Sequence, residues 1–231
     1  MREKTIGILG GMGPEATAEL FYRIIKLTPA MRDQDHLKII IYNNPKIPDR
    51  SEAIIKGTKS PLNELVQAAR SLEKMGVDFI IIPCNTVHYY YDELTKKVGV
   101  PIINMIELTA KKISELYPHI RTVGIIATTG TVKARIYDCA MHKRNIQVIY
   151  PSFEMQAAVM RTIYKIKAGR TRGKEVLIST IKHLIQKGSQ AIISGCTEVS
   201  LALKNVAETI PIIDPLQILA EEAVKTALTE F

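Results

Sequence analysis

Cys84 and Cys196 stand at equivalent points of the chain, each directly after a short apolar run. If each run is a buried strand, its cysteine lies between the strand and the next helix, the edge at which open α/β sheets bind ligands. A thiol titrates at about pH 8.5, and a helix N-terminus or a nearby cation lowers its pKa enough to populate the thiolate at neutral pH. Both side chains are therefore candidates for proton transfer, although either alone is equally typical of a small core residue.

Two thiols in equivalent positions suit the inversion of a carbon stereocentre. One group removes the α-proton, and the other returns a proton on the opposite face. A nucleophilic cysteine paired with a histidine needs no twin, so the pair predicts racemisation or epimerisation. Cys139 has no counterpart and is predicted to be structural or incidental. Three well-separated cysteines without a Cys-x-x-Cys motif also argue against a disulfide framework and a structural zinc site.

The chain contains an internal repeat that carries both cysteines. The first half contains Ile6-Gly-Ile-Leu-Gly-Gly-Met-Gly13, Phe79-Ile-Ile-Ile-Pro-Cys-Asn-Thr86 and Val100-Pro-Ile-Ile-Asn104. The second half contains Val123-Gly-Ile-Ile-Ala-Thr-Thr-Gly130, Ala191-Ile-Ile-Ser-Gly-Cys-Thr-Glu198 and Ile210-Pro-Ile-Ile-Asp214. Three matched segments in the same order indicate two similar α/β units.

Runs rich in Ile and Val alternate with segments of helical period, which is typical of an α/β protein with mainly parallel sheets. The predicted strands are Thr5–Leu9, Leu37–Tyr42, Phe79–Pro83, Ile102–Ile103, Val123–Ala127, Gln147–Tyr150, Ala191–Ser194 and Ile210–Ile213. The predicted helices are Glu15–Lys26, Leu62–Met75, Val87–Lys97, Ile106–Leu116, Val132–Lys143, Phe153–Lys167, Lys174–Lys187, Glu198–Val206 and Pro215–Leu228. We expect two domains related by pseudo-symmetry, residues 1–102 with 212–231 and residues 103–211, with the active site in the cleft between them. Asn44–Lys59 lacks periodicity and is predicted to be a functional loop.

Composition narrows the class of protein. The 231 residues are 46% hydrophobic and 23% charged, as in globular domains, and no apolar run approaches the ~18 residues of a membrane span. No signal-peptide pattern follows Met1, so we expect a cytoplasmic protein without a membrane partner. The net charge of +8 could indicate a nucleic-acid partner, but the basic residues are scattered and the absence of Trp leaves little stacking surface. A basic surface would instead help to attract a small dianionic substrate.

The longer motifs resemble those of one known family, the pyridoxal-independent aspartate/glutamate racemases, and most of all its aspartate racemase branch. The motifs are Ile6-Gly-Ile-Leu-Gly-Gly-Met-Gly-Pro14, Asn43-Asn-Pro-Lys-Ile-Pro-Asp-Arg50, Pro83-Cys-Asn-Thr-Val-His88, Ala127-Thr-Thr-Gly-Thr131 and Gly195-Cys-Thr-Glu198. The likeness spans essentially the whole chain. It implies two similar α/β domains, no cofactor, no metal, a homodimer, and Cys84 and Cys196 as the two acid/base residues.

Other predicted site residues would stabilise the enediolate that forms on the substrate α-carboxylate. The candidates lie at strand ends and helix starts: Asn85, Thr86, Thr128, Thr129 and Thr197. The resemblance makes Arg50 a ligand of a substrate carboxylate, which a guanidinium binds through two parallel hydrogen bonds. It makes Lys167 a second basic group, with Lys165 as the alternative. The predicted substrate-binding set also includes Met12 and Glu198.

His88 lies four residues after Cys84, on the same face of the predicted helix. A Cys–His metal pair is conceivable there, but no further cluster of ligands supports it. We favour a structural or supporting role for this histidine.

The predicted substrate is an acidic amino acid. Cell-wall glutamate racemases carry an Asp-Ser motif after the first strand and a histidine two places after the second cysteine, whereas this chain has Gly10-Gly-Met-Gly13 and Glu198. We expect reversible interconversion of L- and D-aspartate, with glutamate left open as a second substrate. Racemisation of a hydantoin, or binding of an acidic amino acid without catalysis, remain alternatives. A dinucleotide-binding oxidoreductase is disfavoured because the glycines after the first strand do not fit Gly-x-Gly-x-x-Gly.

Overall fold

A computed structural model describes residues 3–170, 173–203 and 209–229. The first half alternates strands and helices, as its sequence pattern predicts. In chain order its elements are β1 (Ile6–Gly10), α1 (Pro14–Leu27), β2 (Ile39–Asn43), α2 (Arg50–Lys56), α3 (Leu62–Lys74), β3 (Phe79–Ile81), α4 (Tyr91–Thr95) and α5 (Met105–Leu116). Short 3₁₀ segments occupy Asp33–Asp35 and Thr86–Tyr90.

The second half repeats this alternation. Its elements are β4 (Thr122–Ala127), α6 (Thr129–Lys133), α7 (Asp138–His142), β5 (Gln147–Ile149), α8 (Phe153–Lys167), α9 (Lys174–Gln186), β6 (Ala191–Gly195), α10 (Thr197–Leu203), β7 (Ile212–Ile213) and α11 (Pro215–Leu228). Residues 204–206 of the predicted helix that begins at Glu198 lie outside the described residues.

The strands form two parallel sheets of matching order, β2-β1-β3 and β5-β4-β6-β7. In the first, Gly7 of β1 pairs with Ile80, which in turn forms a bridge to Ile102. In the second, Gly124 of β4 pairs with Ile192, which in turn pairs with Ile212. The predicted α/β class and the internal repeat are confirmed, and the residues aligned in sequence occupy equivalent places in the two sheets.

The loop after β1 lies against the loop after β2, and two glycines allow the approach. A side chain at Gly10 would overlap Thr17, whose Oγ1 accepts a hydrogen bond from the N–H of Gly11 at 2.9 Å. Gly11 has a φ of 97°, and a side chain there would overlap the backbone of Asn44. These contacts place Met12 beside the segment that leads into α2.

Helix α11 returns to the first half of the chain. Its apolar residues, among them Leu216 and Leu219, pack in one core with Ile6 and Ile8 of β1 and Leu20 of α1. At the start of the helix, Asp214 caps the N–H of Leu216 and accepts a 2.6 Å hydrogen bond from Arg23 of α1. Helix α11 thus packs against the first half of the chain, where residues 212–231 are predicted to belong. The domain boundaries themselves stay a prediction.

The structure corrects three of the helix and loop predictions, and the predicted strand Ile102–Ile103 is only a bridge at Ile102. Asn44–Lys59 is not irregular throughout, because it contains α2, which begins after the N-cap Asp49 and ends at Gly57, where φ is 63°. The predicted helix Val132–Lys143 is interrupted between α6 and α7, where Arg135 has a φ of 48°. The predicted helix after Cys84 starts as a 3₁₀ segment before α4.

In the described part of the chain, no helix is both long and apolar enough to cross a bilayer.

Candidate active site

A pocket of about 380 Å³ lies where the carboxyl ends of the two sheets meet. Both halves of the chain contribute to it, as expected for ligand sites in parallel α/β sheets. The structure brings together ten predicted site residues in its lining: Met12, Arg50, Cys84, Asn85, Thr86, Thr128, Lys167, Cys196, Thr197 and Glu198.

Thr129 and Lys165 are not part of that lining. The Thr129 hydroxyl accepts a hydrogen bond from Gln156 Nε2 at 3.2 Å, so this side chain supports the neighbouring helix instead of facing the pocket. Lys165 is exposed on α8. Of the two lysines that the sequence left open, Lys167 is therefore the one that reaches the site.

Cys84 is buried, and His88 holds its backbone. The N–H of Met105 donates to Nε2 of His88 at 3.1 Å, so Nδ1 carries the ring hydrogen and donates it to the carbonyl of Cys84 at 2.9 Å. Burial lowers the pKa of His88 to about 4, which keeps the ring neutral and preserves this tautomer. His88 therefore ties the Cys84 segment to the start of α5, in agreement with the supporting role predicted for it.

Asn85 is oriented by a tyrosine that the sequence did not single out. The hydroxyl of Tyr137 donates to Oδ1 of Asn85 at 2.5 Å, and Tyr137 is completely buried. Burial raises the pKa of Tyr137, so the hydroxyl keeps its proton and remains a donor. With Oδ1 engaged, the two N–H groups of the Asn85 amide are the part left to serve a ligand.

Three buried threonine hydroxyls join the two halves of the chain at the pocket. Thr86 Oγ1 lies 2.9 Å from Thr128 Oγ1 and 3.0 Å from Thr131 Oγ1, and the latter two are 3.1 Å apart. Thr128 also caps α6, because its Oγ1 accepts from the N–H of Thr131. The triangle fixes the loop after Cys84 against the loop after β4.

Cys196 belongs to a charged cluster with Glu198 and Lys167. Its Sγ donates to Glu198 Oε2 at 2.9 Å, and Thr197 Oγ1 donates to the same oxygen at 3.3 Å. Lys167 Nζ lies 3.6 Å from the other oxygen, Oε1. Burial, followed by the negative charge of Glu198, raises the pKa of Cys196 well above 9.0, so its thiol is protonated at neutral pH.

Lys167 remains a cation in this cluster. Burial by itself would lower its pKa, but the surrounding negative groups, Glu198 foremost, outweigh that effect and raise it. Lys167 and Glu198 thus form a partly buried ion pair inside the pocket.

Arg50, the first residue of α2, presents an unpaired donor. Its Nη1 donates to the carbonyls of Ile47 at 3.1 Å and Pro48 at 2.9 Å, and its Nη2 donates to that of Met12 at 3.4 Å. Its Nε is buried and has no hydrogen-bond partner among the described residues. Since an unpaired buried donor is unfavourable, a carboxylate held by Nε and the remaining N–H of Nη2 would stabilise this arrangement.

Several lining residues are not predicted as site residues from the sequence: Asp49, Ser51, Met160, Ile163, Tyr164 and Gly195. Three of them precede Lys167 on α8 by three, four and seven positions, which places all four on one face of the helix. This helical spacing could have predicted that the three residues lie beside Lys167. Asp49 caps α2, because its side chain accepts a hydrogen bond from the N–H of Glu52 at 2.9 Å. Aspartate is one of the residue types that mark a helix start in a sequence, so this residue could have been predicted.

A wider cavity of about 990 Å³, partly open to solvent, adjoins the pocket. It is lined on one side by residues 11–15 and on another by Pro45 and Ile47, and it shares Met12, Asp49, Arg50, Lys167 and Glu198 with the pocket. Within residues 3–170, 173–203 and 209–229, no three His, Cys, Asp or Glu side chains are grouped so as to hold a metal ion.

Comparisons with known proteins identify the family of the chain. A family model described as Asp/Glu/hydantoin racemase matches residues 9–223. The broad-specificity amino-acid racemase RacX of Bacillus subtilis is 33% identical over 229 residues, which cover 96% of this chain and 98% of that protein.

Solved structures of racemases are also similar to this chain. The aspartate racemase of Picrophilus torridus superposes with a TM-score of 0.86 at 32% identity, covering 97% of this chain and 94% of the other. The glutamate racemase of Francisella tularensis, solved with D-glutamate, has a TM-score of 0.70 over 97% of this chain and 81% of the other, and at 22% identity it shows the fold alone. The chain belongs to the Asp/Glu/hydantoin racemase family and is an isomerase of the amino-acid racemase class.

Proposed function

We propose that the protein interconverts the L and D enantiomers of an α-amino acid by direct proton transfer at Cα between Cys84 and Cys196. The observation that carries the proposal is that both thiols, one from each half of the chain, line one small pocket together with the unpaired donor of Arg50.

The proposed reaction needs one thiolate and one thiol. The thiolate takes the α-proton, so that a Cα–H bond breaks and an S–H bond forms. The thiol then gives its proton to the opposite face of the carbon, and the charges of the two sulfurs are exchanged. In one direction Cys84 is the base and Cys196, which burial and Glu198 hold as a thiol, is the acid, and in the reverse direction the two roles are exchanged.

Between the two proton transfers, negative charge accumulates on the substrate carboxylate. Arg50 meets that charge through its free edge, and the N–H groups of Asn85 are directed to the same pocket by Tyr137. Donors that are fixed before the reaction stabilise such an intermediate more than mobile ones do. The hydroxyl triangle at Thr86 and Thr128 keeps these loops in register.

Aspartate, with glutamate left open, is the substrate expected from the sequence, and the likeness to the Picrophilus torridus aspartate racemase makes it the first to test. The broad-specificity relative makes a wider set necessary. The test incubates the purified protein in D₂O, without added pyridoxal phosphate, with L- and D-forms of acidic, neutral and basic amino acids and with a hydantoin. NMR follows α-deuterium incorporation, and chiral chromatography follows the enantiomer ratio.

The expected result is exchange at Cα with approach to a racemic mixture. A Cys84→Ser/Cys196→Ser double variant, purified in parallel, measures contaminating racemases. No exchange with any amino acid of the set would contradict the proposal, and exchange with the hydantoin alone would replace it by the hydantoin alternative.

A further inference from the structure

Asp49 is a carboxylate of the pocket that forms no salt bridge with the described part of the chain. Its Oδ1 accepts a hydrogen bond from the N–H of Glu52 at 2.9 Å, as the cap of α2. Lys56, the basic residue at the end of the same helix, is paired with Glu52 at 2.9 Å. The second carboxylate oxygen of Asp49, Oδ2, is therefore left to serve a ligand.

The other carboxylate of the pocket is already engaged through both of its oxygens. Oε1 of Glu198 lies 3.6 Å from Lys167 Nζ, and Oε2 accepts the hydrogens of Cys196 and Thr197. Among the described residues that line the pocket, Asp49 is thus the carboxylate that can accept a hydrogen bond from a ligand cation without breaking a contact of the protein.

The hydroxyl groups of the pocket do not replace a carboxylate in this respect. Those of Thr86 and Thr128 bind each other across 2.9 Å. Ser51, Tyr164 and Thr197 also line the pocket but carry no charge. Since a buried charge is unfavourable unless it is paired, an ammonium group that enters the pocket requires a carboxylate as its counter-ion.

Asp49 directly precedes Arg50, whose buried Nε lacks a hydrogen-bond partner among the described residues. The carboxylate and the ammonium group of an α-amino acid are attached to the same carbon, so the two groups that bind them must be neighbours. Asp49 and Arg50 line both the pocket and the adjoining cavity, and they present opposite charges there. This arrangement is complementary to a zwitterion.

We propose that Asp49 binds the α-ammonium group of the substrate while Arg50 binds its α-carboxylate. The inference rests on the proposed racemase function and adds a substrate-binding residue to it. The protein then recognises amino acids whose α-amino group is free, and not hydantoins or N-acylated amino acids, which lack an α-ammonium group. A carboxylate beside the ammonium group also keeps it charged, and a charged ammonium group withdraws electrons from Cα and assists removal of its proton.

The test compares amino acids with analogues that lack only the α-amino group. Isothermal titration calorimetry of the wild-type protein measures the affinities for aspartate against succinate, glutamate against glutarate and alanine against propionate. Each amino acid is used as a racemate, so that turnover leaves the composition of the solution unchanged. We expect the amino acid of a pair to bind about 10- to 100-fold more tightly than its analogue, which is the contribution of a hydrogen bond between charged groups.

Asp49→Asn removes the charge but keeps the cap of α2, because asparagine caps helices about as well as aspartate. In this variant we expect the preference for the amino acid to fall by a similar factor, while the analogue binds as tightly as before or more tightly. A purely structural role of Asp49 would weaken both ligands alike. Glu52→Gln is the matched control, since it removes an exposed carboxylate of the same helix that is paired with Lys56, and it should keep the wild-type preference.

The wild-type comparison does not depend on any variant. Equal or tighter binding of the analogues in the wild-type protein, or an unchanged preference in Asp49→Asn, would overturn the inference alone. If the amino acids are preferred and the preference depends on Asp49, but no α-deuterium exchange occurs, the proposed function fails while Asp49 is confirmed as the ligand of the ammonium group.

Discussion

The thiol of Cys196 donates a hydrogen bond to Oε2 of Glu198 across 2.9 Å. At the equivalent place after Cys84 stands Thr86, which is uncharged and hydrogen-bonded to other hydroxyls. The two sheets repeat each other in register, yet the two cysteines meet different electrostatic environments. In the proposed mechanism, this difference distinguishes the acid from the base before a substrate binds.

This asymmetry predicts how Cys196 titrates. Its pKa is raised above 9.0 by burial and then by Glu198, so Glu198→Gln should lower the pKa by removing the negative charge. Alkylation of Cys196 by iodoacetamide, followed across pH by mass spectrometry of the cysteine peptide, should show its midpoint above pH 9.0 in the wild type and at lower pH in the variant. An unchanged midpoint would show that Glu198 does not act on the thiol.

Replacing either pocket cysteine by serine should abolish most racemisation. A positioned acid or base contributes about 10²- to 10⁴-fold to the rate, and a serine hydroxyl is too weak an acid to replace the thiol. We expect Cys84→Ser and Cys196→Ser each to reduce the rate of enantiomer interconversion by a factor in that range. Cys139→Ser alters an exposed cysteine and should retain wild-type activity. Full activity in either pocket variant would contradict the two-cysteine mechanism.

Arg50→Lys should impair substrate binding and turnover together. A lysine cannot donate from a planar edge to both oxygens of a carboxylate. The substitution also removes the hydrogen bonds that Arg50 donates to backbone carbonyls. We expect kcat/KM to fall by about 10²-fold or more. Arg32→Lys, at an exposed arginine paired with Asp35, is the control and should behave as the wild type. A wild-type kcat/KM in Arg50→Lys would remove Arg50 from the substrate site.

The lowered pKa of His88 predicts that the protein loses stability in acid. Its pKa in the folded protein is about 4, against 6.5 ordinarily, so between these values the unfolded chain binds a proton that the folded chain does not. The stabilisation is complete above pH 6.5 and is lost as the pH falls towards 4, by at most about 3 kcal/mol. Urea unfolding at a series of pH values should show this slope in the wild type and a smaller one in His88→Gln. An exposed-site control, His119→Gln, should keep the wild-type slope.

The hydroxyl triangle should contribute measurably to stability. Thr86→Val keeps the shape of the side chain but leaves Thr128 and Thr131 without one of their partners. Since an unsatisfied buried hydroxyl costs roughly 1–3 kcal/mol, the free energy of unfolding should fall by about that amount. Thr58→Val, at an exposed position, should change it little. Equal stabilities of the two variants would contradict a structural role for the triangle.

Local periodicity was sufficient to predict most strands and helices and to place both cysteines at strand ends. Strands, helices and their ends depend on residues that are close together in sequence, so short stretches of sequence predict them. Helix α2 was missed because it has only seven residues and one apolar pair, Ile54 and Ile55, too short for a helical period. Its capping residues, Asp49 before it and Gly57 after it, are the signals that would have located it.

Contacts between residues distant in sequence could not be predicted in the same way. Tyr137 reaches Asn85 from 52 positions away, and only the folded sheets bring them together. The Lys167–Glu198 pair is a second example, because the sequence indicated both residues as site residues but not that they neutralise each other. Pairing of this kind decides what charge a pocket presents, and it is not visible in short stretches of sequence.

The return of α11 to the first sheet has a consequence for the synthesis of the chain. Strand β1 is synthesised before α11, the apolar helix that packs against its core. The nascent first half therefore carries an uncovered apolar face until α11 has been synthesised. We expect a fragment that stops before Pro215 to aggregate or to recruit chaperones, because the apolar residues of β1 and α1 then lack the helix that covers them.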